Sequence, residues 1–286
     1  MPIPVEKIIR VSDGDTVRVQ LAQGEYSIRL LFVDTEESLR GYFQHKPVTN
    51  AGVIASQFTK DWCYRKADYF LDFDYLYPSP ETALHFSRDR YNRVLAYLYR
   101  GDELLNLQLL EQGLSPYFCK YGFSQAFHDE FLSAQYRSRQ ELIGIWNPET
   151  NKGGASRNYE HLLPWWYTRA DQLEQARAFN TVYPAGCDNQ CRLIMPQTRI
   201  TALVDTQELE DRTTITRRGD RIRIGRPGQP FAIWIPRRYH YQEVLELIGA
   251  IAKDKQYIFF SGLISYHRGY PQIEIREPGQ VSRYPQ

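Results

Sequence analysis

The sequence contains few cysteines, and they form no recognisable framework. Four cysteines among 286 residues are too few and too scattered for a disulfide-rich fold. Cys187 and Cys191 lie close together, but they lack the second pair of ligands that a zinc site needs. The sequence therefore excludes a small domain held together by disulfides, and it gives little support for a zinc site.

Long apolar runs are also absent. No stretch approaches the roughly 18 to 20 apolar residues of a transmembrane helix, and the N-terminus lacks a basic segment followed by an apolar core. A membrane protein is therefore not expected, and the chain as written is expected to be cytoplasmic. A mature chain that had lost a signal peptide would look the same, so a secreted or periplasmic location stays open.

Net charge is nearly absent, at +1. This balance argues against a wholly basic nucleic-acid coat, but acidic residues elsewhere can hide a local basic cleft. With 42% hydrophobic, 14% aromatic and 24% charged residues, the composition is that of an ordinary globular protein. The function must therefore be sought in motifs.

The first half reads as strands with helices inserted between and after them. Alternating apolar residues predict a three-stranded meander, and helical spacing of apolar residues predicts three helices. The expected strands are 5–11, 16–21, 26–33, 69–75 and 94–99, with a proline-containing loop before the last, and the expected helices are 50–65, 103–112 and 126–142. We therefore expect an α+β domain over residues 1–149, built on a five-stranded OB-type barrel with three helices.

A polar stretch rich in proline and glycine at residues 147–156 predicts a domain boundary. We expect a linker at 150–194 with a helix at 159–178, followed by a second domain at 195–286. Its predicted elements are strands at 198–204, 221–224, 231–235, 257–266 and 272–275 and a helix at 241–252. This order predicts a second small β barrel of OB-like type, although periodicity alone does not distinguish it from another small barrel or a sandwich.

Two segments of the first half carry residues suited to chemistry. The segment DGDT at 13–16 joins two predicted strands, where Asp15 could project toward a cleft, or where the aspartates and glycine could simply form a turn. The segment RLLFVDTEE at 29–37 places Arg29 inside an apolar strand that ends in acidic residues. A half-buried guanidinium is costly unless it is paired, so Arg29 requires either an internal carboxylate or a bound phosphate.

These two segments belong to a set of six that occur in a fixed order along the first half. The others are AGVIASQFTKDW at 51–62, DRYNRVLAYLY at 89–99, LLEQGL at 109–114 and a final helix ending in Ile145 and Trp146. In order and spacing the set resembles the staphylococcal nuclease (thermonuclease) family. The resemblance covers almost the whole first domain.

The resemblance implies a calcium site and a reaction at phosphorus. Asp15 and Asp34 match the family's calcium ligands, together with the backbone carbonyl of Thr35. Hard oxygen ligands suit Ca²⁺, which keeps positions for water and a phosphate oxygen. Glu37 matches the glutamate assigned as general base, and Arg29 and Arg93 match the two arginines that bind the phosphate.

Three further residues match the substrate-binding side of the family pattern. Tyr121 corresponds to a tyrosine that lines the nucleotide pocket, and Tyr91 and Arg90 lie beside Arg93. The two tyrosines would stack on a base or hydrogen-bond a phosphate, but all three residues are equally compatible with packing or with a solvated surface.

The sequence also departs from the family pattern, without removing a charged catalytic group. Glu36 replaces a proline, Asn92 replaces a glycine, and Cys119 replaces a second pocket tyrosine. The loop at residues 75–88, which contains Pro78 and Pro80, is longer than the family's. We expect these changes to affect substrate affinity and rate.

The second half contains a basic segment near several aromatic residues. Residues 217–226 hold five arginines and one aspartate, and they are followed by Trp234, Tyr239, Tyr241 and Tyr266. Interleaved basic and aromatic groups suit a nucleic-acid strand, but a solvated strand beside ordinary core aromatics gives the same pattern.

Three classes of function fit the fold: a nuclease, a silent nucleic-acid-binding module and a protein scaffold. A binding module has no use for Asp15, Asp34 and Glu37 beside phosphate, since their charge would repel it. The sequence therefore favours a calcium-dependent nuclease acting on DNA, RNA or both, including single strands. The catalytically weak or silent binding protein is the alternative. No membrane association or obligate protein partner is expected.

Overall fold

The computed structural model describes residues 2–38, 48–89, 91–120, 122–150, 159–179, 182–184, 195–209, 213–224 and 231–286. Arg90, Tyr121 and the pair Cys187 and Cys191 lie outside these residues. The chain divides into two compact units, one formed by Met1–Phe118 and Ser124–Pro164 and the other by Cys119–Phe123 and Trp165–Gln286. Each unit combines one β sheet with helices, which confirms the expected α+β class.

The first unit is built on one continuous sheet. Its strands follow the order β1-β5-β6-β4-β3-β2, with β7 paired to β6, and among the described strand pairs only β4–β6 is parallel. Since β1 and β2 are consecutive parts of one bent strand, this path returns to its start and forms a barrel. The strands are β1 (Ile3–Val5), β2 (Lys7–Asp13), β3 (Thr16–Leu21), β4 (Gly24–Leu30), β5 (Tyr69–Asp72), β6 (Val94–Arg100) and β7 (Glu103–Leu104).

The helices of this unit include one that the sequence did not predict. The segment expected to be a proline-containing loop contains α2, which begins at Pro80. The side chain of Ser79 caps this helix by accepting a hydrogen bond from the Thr82 amide at 3.3 Å, and proline is favoured in a first turn. The described helices of this unit are α1 (Asn50–Cys63), α2 (Pro80–Phe86), α3 (Leu105–Glu111) and α4 (His128–Gln140). A further helix, α5 (Tyr159–Ala178), begins in this unit and belongs to the second unit from Trp165 onward.

Helix α1 holds the turn between β2 and β3. The fully buried Thr59 hydroxyl donates to the Gly14 carbonyl at 2.7 Å. A Cβ at Gly14 would lie 2.9 Å from the Cβ of Ala55 and 2.7 Å from the Thr35 hydroxyl. Only glycine therefore allows the turn to pack this closely against the helix, and the turn carries Asp15.

The second unit repeats the strand order of the first. Its path is β10-β11-β12-β14-β13-β9-β8, with β15 paired to β13, and β12 runs parallel to β14 as β4 does to β6. Helix α6 (Tyr241–Ala252) lies between β12 and β13, as α1 lies between β4 and β5. The strands are β8 (Val182–Pro184), β9 (Arg199–Asp205), β10 (Thr213–Thr216), β11 (Gly219–Ile224), β12 (Phe231–Pro236), β13 (Tyr257–His267), β14 (Tyr270–Glu274) and β15 (Val281–Ser282).

A buried ion pair joins α5 to the second sheet. Arg169 contacts Asp205 at 2.9 Å, and both side chains are almost completely buried. The guanidinium also lies over the Tyr257 ring at 4.0 Å and donates to the Lys255 carbonyl at 2.8 Å. The helix predicted at residues 159–178 is present as α5. In the part of the chain that the structure describes, neither α5 nor another helix is long and apolar enough to span a bilayer.

We expect Thr59→Val to destabilise the protein by about 1 to 3 kcal/mol, because valine keeps the shape of threonine but leaves the buried Gly14 carbonyl without a donor. Thr59→Ser keeps the hydroxyl and serves as the matched control. Urea denaturation followed by circular dichroism measures both. Equal stability of the valine variant and the wild type would show that the hydrogen bond does not hold the turn.

Candidate active site

The register of the barrel brings the predicted site residues to one edge of three adjacent strands. Thr16 on β3 lies directly opposite Arg29 on β4, and Arg29 is also the Cα partner of Leu95 on β6. Asp15 immediately precedes Thr16, and Asp34 follows β4. Sequence-distant groups therefore meet around the Arg29 side chain.

Arg29 is buried and pairs with two aspartates. Its Nη1 lies 2.5 Å from Asp15 Oδ2, and its Nη2 lies 2.6 Å from Asp34 Oδ1. The Arg29 side chain is 7% exposed, whereas the Asp34 side chain is 37% exposed. The partners of the buried guanidinium are thus internal carboxylates, and one of them faces solvent.

Asp15 is fixed by three further hydrogen bonds. Its Oδ1 accepts from the Thr16 hydroxyl at 2.9 Å. Its Oδ2 accepts from the Thr35 amide at 2.9 Å and from the Thr35 hydroxyl at 3.3 Å. The Thr35 amide and hydroxyl are therefore engaged by Asp15, which leaves the Thr35 carbonyl oxygen as the atom suited to a metal.

The segment that carries Glu37 lies against the start of α1. The Glu37 carbonyl accepts from the Thr49 amide at 3.1 Å, and a Cβ at Gly52 would lie 2.1 Å from the same oxygen. The half-buried Glu37 side chain follows Glu36, which is itself buried. Contact with α1 thus fixes the backbone of the segment at residues 36–37, in which Glu36 stands where the family has proline.

Asp13 is a site residue that the sequence did not single out beyond its place in the DGDT segment. Its Oδ1 accepts from the Gly14 amide at 2.9 Å and from the Ser38 amide at 3.2 Å, so it ties the turn to the segment that follows Glu37. Burial, and after it the charge of Asp15, raises the pKa of the Asp13 carboxyl to about 7. The carboxylates here are crowded as well as buried.

Arg93 joins the same network through Thr16. Its Nη1 donates to the Thr16 hydroxyl at 3.3 Å. Its Nε and Nη2 both lie 2.8 Å from Asp89 Oδ2, and the Arg93 side chain is 27% exposed. The Asp89 carboxylate also accepts from the amides of Tyr91 and Arg93, both at 2.9 Å. Asp89 is therefore a positioning residue that the sequence analysis missed, although an aspartate at the start of a turn is a recognisable signal.

The turn before β6 explains one departure from the family pattern. Asn92 has a φ of 64°, a left-handed conformation that glycine adopts without cost and that asparagine tolerates better than most residues. Tyr91 is exposed, and the Arg93 guanidinium lies 5.5 Å from the centre of its ring. Asparagine thus preserves a turn that presents Arg93 and Tyr91 together.

Not all of the predicted residues are gathered at this site. Arg90 and Tyr121 fall outside the described residues, so the structure does not place them. Cys119 belongs to the second unit, where its amide donates to the Tyr257 hydroxyl at 3.0 Å. The structure brings together Asp15, Arg29, Asp34, Thr35 and Arg93, with Glu37 on the adjoining segment.

The donor set fits a hard cation such as Ca²⁺. Asp15 and Asp34 both reach one guanidinium, so their carboxylates are already close together, and Asp34 is accessible to solvent. Oxygen is the ligand type that calcium prefers, and waters and phosphate commonly complete its shell. Among the residues that the structure describes, no three or more His, Cys, Asp or Glu side chains form a ready-made metal cage. A site here would therefore use two carboxylates and a backbone carbonyl.

Comparison with known proteins gives the same family. A family model described as staphylococcal nuclease homologue matches residues 27–148. The thermonuclease of Staphylococcus hyicus is 34% identical over 141 residues, which cover 49% of this chain and 75% of that protein. The thermonuclease of Staphylococcus intermedius is 33% identical over 137 residues, covering 48% and 73% of the two chains.

A relative of lower sequence identity is also named as a nuclease. An uncharacterized endonuclease of Haemophilus influenzae is 26% identical over 143 residues, which cover 49% of this chain and 65% of that protein. The matches each cover about half of this chain. Taken with the site geometry, the similarity to the two thermonucleases shows that the chain belongs to the staphylococcal nuclease family, a family of nucleases.

Proposed function

We propose that the chain is a calcium-dependent phosphodiesterase that hydrolyses DNA, RNA or both. The observation that supports this most is the continuous network that links Arg93, Thr16, Asp15, Arg29 and Asp34. It places two guanidinium groups and two carboxylates at one edge of the barrel. Phosphate binding needs the arginines, and a cation site needs the carboxylates.

The metal ligands in this proposal are Asp15, Asp34 and the carbonyl oxygen of Thr35. When bound, Ca²⁺ would supply Lewis-acid stabilisation of the phosphate oxygens and orient a water. Asp15 is held by its hydrogen bonds from Thr16 and Thr35, so its carboxylate would need little rearrangement on binding. Asp34, being more exposed, would be the carboxylate that adjusts.

The reaction itself would be carried by Glu37, Arg29 and Arg93. Glu37 would accept a proton from the attacking water. Arg93, and Arg29 once Ca²⁺ takes its place on Asp15 and Asp34, would donate to the nonbridging oxygens, where charge accumulates in the transition state. Asp89 would hold the Arg93 guanidinium in place. By the family resemblance, cleavage of the bond between phosphorus and the 5′ oxygen would leave 3′-phosphates. This mechanism does not require ribose chemistry, so it would suit both DNA and RNA.

We expect Glu37→Gln to lower kcat on single-stranded DNA with saturating Ca²⁺ by about 100- to 10,000-fold, because glutamine keeps the shape but does not accept the proton.

Arg93→Ala should lower kcat by about 100-fold or more, since it removes a donor to the transition state. Release of acid-soluble nucleotides measures both.

Two control variants leave the network intact. Glu25→Gln and Arg18→Ala remove members of an exposed ion pair on neighbouring strands, where Arg18 Nη2 lies 3.2 Å from Glu25 Oε2, and both should retain full activity. If the wild type bound DNA but left it intact with Ca²⁺, Mg²⁺ and Mn²⁺, the chain would be a binding module on this fold.

Asp34→Asn should raise the Ca²⁺ concentration for half-maximal activity by about tenfold or more, because calcium affinity follows the number of charged ligands. Asp102→Asn, at an exposed turn of the first unit, provides the control. Activity measured across a Ca²⁺ titration separates this loss from a change in kcat. An unchanged Ca²⁺ dependence would remove Asp34 from the metal site.

Gly52→Ala should lower activity strongly, because its methyl group would displace the Glu37 backbone. Gly249→Ala is the matched control, since Gly249 also lies within a helix but a Cβ there meets no atom within 4 Å. The control should keep full activity and gain up to about 1 kcal/mol of stability. Full activity of both variants would show that the position of Glu37 is not set by α1.

A further inference from the structure

The second sheet has one face directed into its core and one directed away from it. Ile222, Ile233, Ile273 and Ile264 are successive Cα partners across β11, β12, β14 and β13, and all four belong to the buried core of this unit. Since side chains alternate between the two faces of a strand, the neighbours of this row point away from the core.

One of the two outward rows combines an arginine with a tryptophan, and the other carries a second arginine. Arg221 pairs across strands with Trp234, and Trp234 pairs with Glu274. Arg223 lies two residues from Arg221 and pairs with Ala232. The Arg221 guanidinium lies over the half-buried Trp234 ring at 5.3 Å. The register thus places on one face two of the five arginines at residues 217–226, together with Trp234.

A third arginine adds to the charge of this face. The pKa of Arg221 is lowered, first by burial and then by the charges of Arg223 and Arg268, so both of these side chains lie within electrostatic reach of Arg221. Arg268 is exposed at the β13–β14 turn. We call Arg221, Arg223, Arg268 and Trp234 the arginine-tryptophan face.

The positive charges of this face are not balanced by carboxylates of the described residues nearby. Within the described ranges, none of its three arginines has a carboxylate at ion-pair distance, and Arg221 Nε is buried without a hydrogen-bond acceptor. The nearby Glu274 pairs instead with Arg238 at 3.4 Å and Arg276 at 3.3 Å. Gathering like charges without a counter-ion is unfavourable, so an anionic partner would stabilise the arrangement.

We propose that the arginine-tryptophan face binds single-stranded nucleic acid, with the arginines contacting successive phosphates and Trp234 stacking on a base. The phosphates of a nucleic-acid strand recur at regular intervals, so several neighbouring guanidinium groups can each bind one. The ring of Trp234 beside them can stack on an unpaired base, and a duplex exposes no such base. The proposal concerns binding in the second unit alone and does not rest on the phosphodiesterase activity.

The test measures binding without cleavage. The full chain is titrated in EDTA against a fluorescein-labelled oligodeoxythymidylate, and anisotropy is recorded over a range of salt concentrations. Arg221→Ala with Arg223→Ala should reduce the slope of log K against log salt by about 1.4, since each phosphate contact on a single strand contributes about 0.7. Trp234→Ala should weaken binding by about 5- to 100-fold, and Trp234→Phe by much less.

A charge-matched control removes two positive charges elsewhere in the same unit. Lys253→Ala with Arg283→Ala should leave the salt slope unchanged, because Arg283 already pairs with Asp254 at 2.6 Å. Circular dichroism confirms that each variant is folded. Equal affinity and slope for the arginine variant and this control would overturn the proposal.

Two other partners are distinguished by the same variants. If Trp234→Ala weakened binding to a duplex as much as to the single strand, base stacking would be refuted. If the arginine variant lost binding to phosphatidylserine vesicles while keeping its affinity for the oligonucleotide, the face would be a lipid-binding surface instead.

Discussion

The pairing of buried Arg29 with Asp15 and Asp34 is the interaction on which the first unit most depends. A guanidinium inside the barrel wall is tolerated only while carboxylates oppose it, and removal of one partner from a buried pair typically costs about 3 to 5 kcal/mol. The same requirement determines where the two aspartates stand. The contacts that make the folded chain electrostatically acceptable therefore also hold two hard ligands together at the edge of the barrel.

Helix α1 holds the site segments in place by packing closely against their backbone, and it contributes no charged group to the site. At Gly14 and at Gly52, α1 and the segments that carry the site residues are too close for a side chain to fit. The Thr59 hydroxyl of α1 also donates a hydrogen bond to the Gly14 carbonyl. Since these contacts are made by backbone and small side chains, they fix position without adding groups that compete for metal or phosphate. We infer that substitutions in α1 would change catalysis without touching a catalytic residue.

Much of the fold and part of the site could be predicted because their signals are local. Apolar patterning predicted most strands of both units, and β8, β10 and β15 are among those that it missed. The position of Arg29 inside an apolar strand predicted a paired anionic group. Helix α2 was missed because Pro78 and Pro80 were taken to indicate a loop, although Pro80 follows the serine that caps the helix. The exposed edge strand β10 was missed because no apolar face alternates along it, and Asp89 because its role depends on a contact with Arg93 that only the folded turn creates.

A crystal structure of the protein grown with Ca²⁺ tests most directly whether the network around Arg29 is a cation site. We expect one ion bound by carboxylate oxygens of Asp15 and Asp34 and by the carbonyl oxygen of Thr35, at the 2.3 to 2.6 Å typical of calcium. An ion bound elsewhere, or no ion on these two aspartates at millimolar Ca²⁺, would contradict this assignment.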